Sequence, residues 1–279
     1  MGRTGFAESD VSESRHSRAG KVDLDGRLAL LEAPHALSMV YGGGGAFGIG
    51  FNLGVGHGLA VAGIPVATAP ALGTSAGSWA ASALALGIGY EAFQRIEAPS
   101  VPNRRRGILA DLARQLWGES RSPLVAVSAV CVRSRRRHIL DGGRYPLADL
   151  VAASSAVPGL LPPHRIDGRL YIDGGMWSAT SVDAVANSHE VIVVAPLAGA
   201  PMGPLGLGAG LLLERELRAW RHAHPGSRVT MIRPTRAIAR LAGRNPFGLF
   251  DGERARQVYP LAYELGLLLG EQLQQRRGA

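Results

Sequence analysis

The feature that most constrains the fold of this chain is a long stretch without charge. Residues 33–90 contain no Asp, Glu, Lys or Arg, although these four types make up 19% of the sequence. Uncharged segments of this length are typical of elements covered on both faces, as at the centre of a parallel sheet. We therefore expect residues 33–90 to form the middle of an α/β fold.

Within this stretch, the pattern alternates between strands and helices. Strands are predicted at residues 38–41 and 66–72, and helices at residues 49–62 and 78–85. A strand, a helix and a second, parallel strand make a βαβ unit, whose crossover is expected to be right-handed. The four glycines in the first helix predict close packing against a neighbouring element.

A glycine-rich loop, residues 42–48 (GGGGAFG), joins the first strand to the first helix. Its G-x-G-x-x-G spacing also occurs in dinucleotide-binding sites, but those need an acidic residue about 20 positions later, and none precedes Glu91. The Gly-Lys-Ser/Thr of a phosphate-binding P-loop is missing too. Successive glycine N–H groups before a helix suit an oxyanion hole, in which they donate hydrogen bonds to a developing negative charge.

The second strand runs into residues 73–77 (GTSAG), a G-x-S-x-G sequence followed by a helix of small residues. This sequence is typical of a sharp strand-to-helix turn that exposes a nucleophilic serine. The helix N-terminus favours negative charge beside that serine. Ser75 is therefore a candidate nucleophile, and a glycine-bounded turn without chemistry is the alternative.

Composition limits the remaining possibilities. The 279 residues, 46% of them hydrophobic, predict one large core, with residues 33–279 as the domain and residues 1–32 as a flexible polar leader. The single cysteine, Cys131, excludes a disulfide within the chain and favours a reducing compartment. No signal peptide or membrane-spanning run is evident, so a cytoplasmic protein is expected.

Arginine dominates the net charge of +8. Nine arginines lie between Arg104 and Arg137, against only Asp111 and Glu119. No helix-turn-helix, zinc-finger or aromatic RNA-binding pattern accompanies them, so no nucleic-acid partner is expected. The two remaining interpretations are a surface that makes peripheral contact with an anionic membrane and a plain solvated surface.

The second half of the chain continues the alternation of elements. A helix is predicted at residues 147–156, a strand at 190–195, a second helix at 211–222 and a C-terminal helix at 253–275. Residues 198–210 are rich in Gly and Pro and are predicted to form a flexible flap.

Between about residues 39 and 185, the sequence resembles the patatin-like phospholipase family. Four motifs carry the resemblance, in the family's order and spacing: residues 42–48 (GGGGAFG), 73–77 (GTSAG), 153–163 (ASSAVPGLLPP) and 173–175 (DGG). The resemblance implies a three-layer α/β/α fold with a central, mostly parallel sheet. It also implies a serine acyl hydrolase acting on lipid esters, with neither a metal nor a cofactor.

The same resemblance implies a Ser–Asp dyad without a catalytic histidine. Ser75 would be the nucleophile, Asp173 its base, and the N–H groups of residues 43–45 the oxyanion hole. A second D-G-G sequence begins at Asp141. Asp173 is preferred because it follows the A-S-S-A-x-P segment, as in the family, and ends an apolar run.

Two positions depart from the family pattern. Phe47 stands where members that act on phospholipids usually carry Arg or Lys, whereas members that act on neutral lipid have an apolar residue there. Phospholipase A, lysophospholipase and neutral-lipid esterase activities therefore all stay open. The Asn-x-Pro that commonly follows the D-G-G triplet is replaced by residues 178–181 (SATS), so the support of Asp173 is not predicted.

Two other functions fit parts of the pattern. A Ser-His-Asp esterase of the α/β-hydrolase type would need a late histidine, and His189, His222 and His224 follow Asp173 in the required order. A lipid-binding or regulatory protein that kept the fold without turnover is the non-enzymatic alternative. The expected partner in each case is a lipid or acyl ester, and the sequence leaves the oligomeric state open.

Overall fold

The computed structural model describes residues 23–24, 34–185, 187–199, 202–243 and 245–278. The predicted leader, residues 1–32, lies outside the described residues except for Asp23 and Leu24. These two residues form a short edge strand that pairs in parallel with His138 and Ile139. The domain prediction for residues 33–279 covers all the other described residues.

In the described parts of the chain, nine strands form one mixed sheet with the order β1-β5-β4-β3-β2-β8-β9, while β7 pairs with β4 and β6 pairs with β7. The strands are β1 (Asp23–Leu24), β2 (His35–Tyr41), β3 (Ala71–Thr74), β4 (Val125–Cys131), β5 (Arg136–Asp141), β6 (His164–Ile166), β7 (Arg169–Asp173), β8 (Ser188–Val194) and β9 (Arg228–Ile232). The core strands β4, β3, β2, β8 and β9 are parallel, as predicted for an α/β fold.

Eight α-helices accompany the sheet in the part of the chain that is described. They are α1 (Gly45–Val61), α2 (Ala76–Ala85), α3 (Tyr90–Gln94), α4 (Ile108–Trp117), α5 (Leu147–Ser154), α6 (Gly203–Ala223), α7 (Arg236–Ala242) and α8 (Gly252–Gly278). None of the helices seen within the described ranges is both long and apolar enough to cross a membrane.

The uncharged stretch forms the centre of the sheet, as the sequence predicts. Strand β2 pairs in parallel with β3 on one side and with β8 on the other, and α1 connects β2 to β3. The predicted strand at residues 66–72 is wrong in its bounds, because β3 begins only at Ala71. The N–H of Ala69 donates to the carbonyl of Pro65 in a turn, and Pro70 has no N–H to give to the sheet.

Two cores lie on opposite faces of the sheet. Alternate residues of β8 illustrate the division: Ile192 packs into the larger core with α1 and α8, whereas Val193 packs into the smaller core against α6. The architecture is therefore a three-layer α/β/α arrangement with a central, mostly parallel sheet.

The glycines of α1 explain how closely that helix packs on α8. A Cβ at Gly54 would lie 2.6 Å from the carbonyl oxygen of Tyr259, and one at Gly58 would lie 2.2 Å from that of Tyr263. The two helix backbones are thus in direct contact along this seam, which confirms the close packing predicted from the sequence.

The predicted flap at residues 198–210 is wrong over much of its length. Helix α6 begins at Gly203 and runs to Ala223, so the helix expected at residues 211–222 starts about two turns earlier. Pro204 lies in its first turn, where a missing N–H breaks no helical hydrogen bond.

Candidate active site

Strand β4 brings the two candidate catalytic residues together. One edge of β4 pairs with β5, and the other edge pairs with both β3 and β7. Strand β3 pairs with β4 up to Thr74, which lies opposite Ser128. Strand β7 pairs with the next part of β4, where Asp173 lies opposite Ala129. Ser75 and Asp173, 98 positions apart in sequence, therefore arrive at neighbouring positions along one strand edge.

Ser75 occupies a strained turn between β3 and α2. Its backbone has φ 51° and ψ −121°, a conformation that costs a residue with a side chain about 1–3 kcal/mol. The turn is held by its surroundings: the Ser75 N–H donates to Ser154 Oγ at 2.8 Å, and Ser78 Oγ donates to the Ser75 carbonyl at 2.6 Å. Gly77 is required by space, because a Cβ there would lie 1.9 Å from the Tyr41 carbonyl oxygen.

The Ser75 hydroxyl donates to Asp173 Oδ2 at 2.6 Å. The other carboxylate oxygen, Oδ1, accepts the Gly175 N–H at 2.6 Å, so both oxygens are oriented. Asp173 is 4% exposed, and burial raises its pKa from 3.8 to about 6, against the opposing effect of the bonds from Ser75 and Gly175. The pair is therefore an oriented serine–carboxylate couple in which the pKa of the carboxyl group is raised to about 6.

One segment supports both members of the couple. Ser154 Oγ accepts the N–H of Ser75 and donates to the Ser128 carbonyl at 2.7 Å. Two residues later, the Ala156 carbonyl accepts the N–H of Asp173 at 3.0 Å. The sequence motif at residues 153–163 pointed to this segment, but its spacing gave no indication of what Ser154 contacts.

The glycine loop lies beside the elbow, although one of its three predicted donors is occupied. The Gly43 N–H donates to the Ala179 carbonyl at 2.8 Å, so the prediction that Gly43 belongs to the oxyanion hole is wrong for this geometry. Among the described residues, the N–H groups of Gly44 and Gly45 have no partner, and they lie at the start of the 17-residue helix α1. These two groups are the remaining donors for an anion at Ser75.

Serines replace the Asn-x-Pro that is missing after the D-G-G triplet. Ser178 Oγ accepts the N–H groups of Thr180 and Ser181, at 3.2 and 2.9 Å. Ser181 Oγ in turn donates to Ser128 Oγ at 2.9 Å, which ties the segment to β4. Since the Ala179 carbonyl holds Gly43, residues 178–181 connect the glycine loop to the strand that carries the couple.

An apolar cavity of about 800 Å³ opens at Ser75. Its volume is in the range of about 300–1,000 Å³ that is usual for small-molecule sites. Apolar side chains dominate the lining, among them Ile49, Trp79, Phe93, Leu112 and Leu161. Gly45, which carries one of the two free N–H groups, lines the same cavity as Ser75.

Phe47 does not lie in this cavity. It is fully buried and stacks on Phe51, with ring centroids 6.5 Å apart, whereas its neighbour Ala46 lines the cavity. Phe47 therefore does not contact a substrate in this cavity. Ala46 and Phe47 are successive residues of α1, and successive helical side chains point in different directions. Phe47 therefore faces the core while Ala46 faces the cavity.

The alternative bases lie elsewhere. Asp141 pairs with Ala126 at the other end of β4, and its Oδ1 accepts the N–H of Gly143 at 2.8 Å. His189 and His222 are exposed, and His224 Nδ1 is 2.9 Å from the Trp220 carbonyl oxygen. No histidine occurs among the described residues that line the cavity.

The arginine cluster is smaller than its sequence suggests. Arg137 is 1% exposed and donates to both oxygens of Asp183, at 2.6 and 2.8 Å, so it belongs to the interior. Arg135 and Arg136 are exposed, as is Arg105, which pairs with Asp111. Groups of three or more potential metal ligands do not occur within the described ranges.

Fold and site together define a class of three-layer α/β proteins with a serine–carboxylate couple at a strand-to-helix elbow. Residues 132–186, which include Asp173, match the family model of the patatin-like phospholipases. Over this segment, about a fifth of its length, the chain is similar to the patatin-like phospholipases.

Three curated relatives match a shorter segment. They are described as uncharacterized NTE family proteins, one from Mycobacterium bovis and two from Mycobacterium tuberculosis, and each is 37% identical over 62 residues. The aligned segment covers 22% of this chain and 17% of each relative. Among solved structures, VipD from Legionella pneumophila superimposes with a TM-score of 0.48 and 13% identity, over 86% of this chain and 67% of that one.

Proposed function

We propose that this protein is a serine acyl hydrolase that cleaves carboxylic esters of lipids, with Ser75 as nucleophile and Asp173 as base. The observation that carries the proposal is the 2.6 Å hydrogen bond from Ser75 Oγ to Asp173 Oδ2, together with the apolar cavity that Ser75 lines. The similarity of residues 132–186 to the patatin-like phospholipases supports the lipid class of substrate.

In the acylation step, Asp173 Oδ2 accepts the Ser75 proton while Oγ attacks the carbonyl carbon of the ester. The carbonyl oxygen becomes an oxyanion, and the free N–H groups of Gly44 and Gly45 donate to it. The tetrahedral intermediate collapses when the alcohol leaves with the proton that Asp173 had taken. The acyl group is then bonded to Ser75 Oγ.

Deacylation repeats these steps with water. Asp173 accepts a proton from a water molecule, the resulting hydroxide attacks the acyl carbon, and the fatty acid leaves as Ser75 regains its proton. A raised carboxyl pKa makes Asp173 a stronger base than an exposed aspartate, and it still leaves the group ionised above about pH 6. The couple therefore needs no histidine.

The cavity favours an apolar acyl chain. Its aromatic and aliphatic lining offers burial to methylene groups at about 0.8 kcal/mol each. The ionic side chains that line it are of both signs, Arg95 and Arg256 with Glu97 and Asp251, so the cavity has no excess of either charge for a phosphate group. We infer that uncharged lipid esters are hydrolysed better than phospholipids.

A substrate panel tests the proposal. The purified protein is assayed on p-nitrophenyl esters, acylglycerols, lysophospholipids and phospholipids, alongside Ser75→Ala, Asp173→Asn and the matched control Asp141→Asn. We expect the first two variants to lose nearly all turnover, the double variant to be little worse than either, and the control to remain active. Activity that survives in Asp173→Asn but not in Asp141→Asn would overturn the assignment of the base.

The same assay separates a dyad from a triad. Individual Asn substitutions of His189, His222 and His224 should leave kcat within about twofold, since none lines the cavity. A loss of about a thousandfold in one of them, with the fold intact, would favour a Ser-His-Asp enzyme. No hydrolysis of any ester would leave the lipid-binding alternative.

A further inference from the structure

A second depression lies where the tip of the β4–β5 hairpin meets the β6–β7 hairpin. Its volume is about 700 Å³, and it is lined by residues 131–134, 138, 165 and 168–170, which we call the basic groove. The two hairpins are joined at this point by a hydrogen bond from the Val132 N–H to the Leu170 carbonyl, 2.9 Å long.

The groove is strongly cationic. Arg133, Arg165 and Arg169 line it with exposed side chains, and no carboxylate does. Arg135 and Arg136 are exposed beside it on the hairpin tip. The nearest acid in sequence, Asp167, is tied to neighbours outside the groove: its Oδ2 accepts from Tyr145 at 2.9 Å and lies 3.7 Å from Arg144. Charge complementarity therefore favours an anionic partner over a neutral or cationic one.

Two aliphatic side chains stand among these arginines. Val132 is 42% exposed and Leu170 is 37% exposed, and both line the groove. A nucleic-acid backbone offers nothing to such side chains. The surface of a bilayer accommodates both kinds of residue, since arginines meet lipid phosphates while apolar groups enter the boundary between headgroups and acyl chains.

The strands also relate the groove to the active site. Asp173 pairs with Ala129, Tyr171 pairs with Cys131, and Leu170 and Val132 follow. The groove thus lies beyond the carboxyl end of β4, about 10 Å from Asp173 at about 3.3 Å per strand residue. A protein docked through the groove would hold the Ser75 site close to the lipid surface.

We propose that the basic groove docks this protein on bilayers rich in anionic phospholipid, through its arginines and the aliphatic pair Val132 and Leu170. The choice of a lipid surface rests on the proposed lipid-ester activity, but the binding itself does not require turnover. The two ideas can therefore fail separately.

Vesicle sedimentation tests this docking. The full chain carrying Ser75→Ala, which prevents lipid breakdown, is mixed with phosphatidylglycerol–phosphatidylcholine vesicles or with pure phosphatidylcholine vesicles, at low and physiological salt. Binding is compared with that of Arg133→Ala/Arg165→Ala, of Val132→Asn/Leu170→Asn, and of the charge-matched control Arg215→Ala/Arg218→Ala on the exposed face of α6. Circular dichroism checks that each variant is folded.

We expect binding to the anionic vesicles only, weakened as salt rises because the Debye length falls to about 8 Å at 0.15 M. Each arginine removed should cost about fivefold in affinity, while the control should change little. The aliphatic variant should bind more weakly at both salt concentrations. All groove variants, with Ser75 intact, should hydrolyse p-nitrophenyl butyrate like the parent protein.

Two results would overturn the docking proposal: vesicle binding that is absent or indifferent to the groove substitutions, or a single-stranded oligonucleotide that binds through Arg133 and Arg165 in place of vesicles. If groove-dependent vesicle binding is present and no ester is hydrolysed, the docking holds and the proposed enzymatic function fails.

Discussion

Replacing Asp173 by Asn should stabilise the protein while it removes turnover. The carboxyl group is 4% exposed, and its pKa is raised from 3.8 to about 6 because burial penalises the charged form. Asn fills the same space without charge: its Oδ1 accepts the Gly175 N–H, and its Nδ2 donates to Ser75 Oγ. The variant therefore keeps both hydrogen bonds and avoids burying an ion.

The size of the effect follows from the pKa difference between the folded and unfolded states. Because the folded-state pKa of Asp173 lies above the unfolded value, its contribution to the free energy of unfolding is fully present below about pH 3.8. That contribution is lost as the pH rises through about 6. A shift of about two units corresponds to about 3 kcal/mol above pH 7 and to about 1 kcal/mol near pH 4.5. Asp173→Asn should recover most of that free energy of unfolding.

Urea unfolding of both proteins at pH 4.5 and pH 8 measures this difference. We expect the advantage of Asp173→Asn to grow by about 2 kcal/mol between the two pH values. Asp141→Asn, which alters a partly exposed carboxylate, is the control and should show no such growth. If Asp173→Asn is no more stable than the parent protein at pH 8, or if its advantage does not depend on pH, the account of a buried ionised base is refuted.

Three further predictions concern turnover. The kcat/KM for p-nitrophenyl butyrate should rise to a plateau above about pH 6, because only ionised Asp173 accepts the proton of Ser75, and a flat profile from pH 4.5 to 8 would contradict this role. Ser154→Ala should lower kcat, and it should lower the free energy of unfolding by about 1–3 kcal/mol, because it leaves the buried Ser75 N–H without an acceptor. An unchanged kcat would show that the elbow does not depend on this hydrogen bond. Leu112→Trp should reduce hydrolysis of long-chain p-nitrophenyl esters far more than that of the acetate, and equal losses on both would mean that the acyl chain does not enter the cavity.

The sequence predicts the centre of the fold well because its signals there are local. The glycine loop and the elbow both lie within the uncharged stretch, residues 33–90. The residues of each motif are enough to predict its local backbone conformation. The bounds of β3 were less predictable, since residues 66–69 are as apolar as a strand. These residues form a turn instead, which begins at Pro65 and ends at Pro70.

Contacts between distant backbone groups could not be predicted in the same way. Gly43 has the sequence of an oxyanion donor, but the Ala179 carbonyl takes its N–H, and a backbone carbonyl carries no sequence signature. Similarly, Arg137 has the sequence of a surface residue at a hairpin tip. Its burial depends on Asp183, which lies 46 positions later in the short 3-10 helix at residues 182–184.

The sequence does contain a signal for the start of α6, but the Gly- and Pro-rich composition of the segment outweighed it. Composition favoured a loop at residues 198–210, whereas a proline in the first turn is also typical of a helix N-terminus. The meeting of Ser75 with Asp173 is a different case. It depends on the register of β4, which pairs with β3 up to Ser128 and with β7 from Ala129 onward.

Labelling with a fluorophosphonate probe, followed by peptide mapping, shows whether Ser75 is activated and whether its activation depends on Asp173. The probe reacts only with an activated serine, so we expect one adduct, on Ser75, that is absent in Ser75→Ala and at least a hundredfold slower to form in Asp173→Asn. Asp141→Asn should label at the parent rate. An adduct on a different serine, or labelling of Ser75 at an unchanged rate in Asp173→Asn, would contradict the assignment of Ser75 and Asp173 as a catalytic couple.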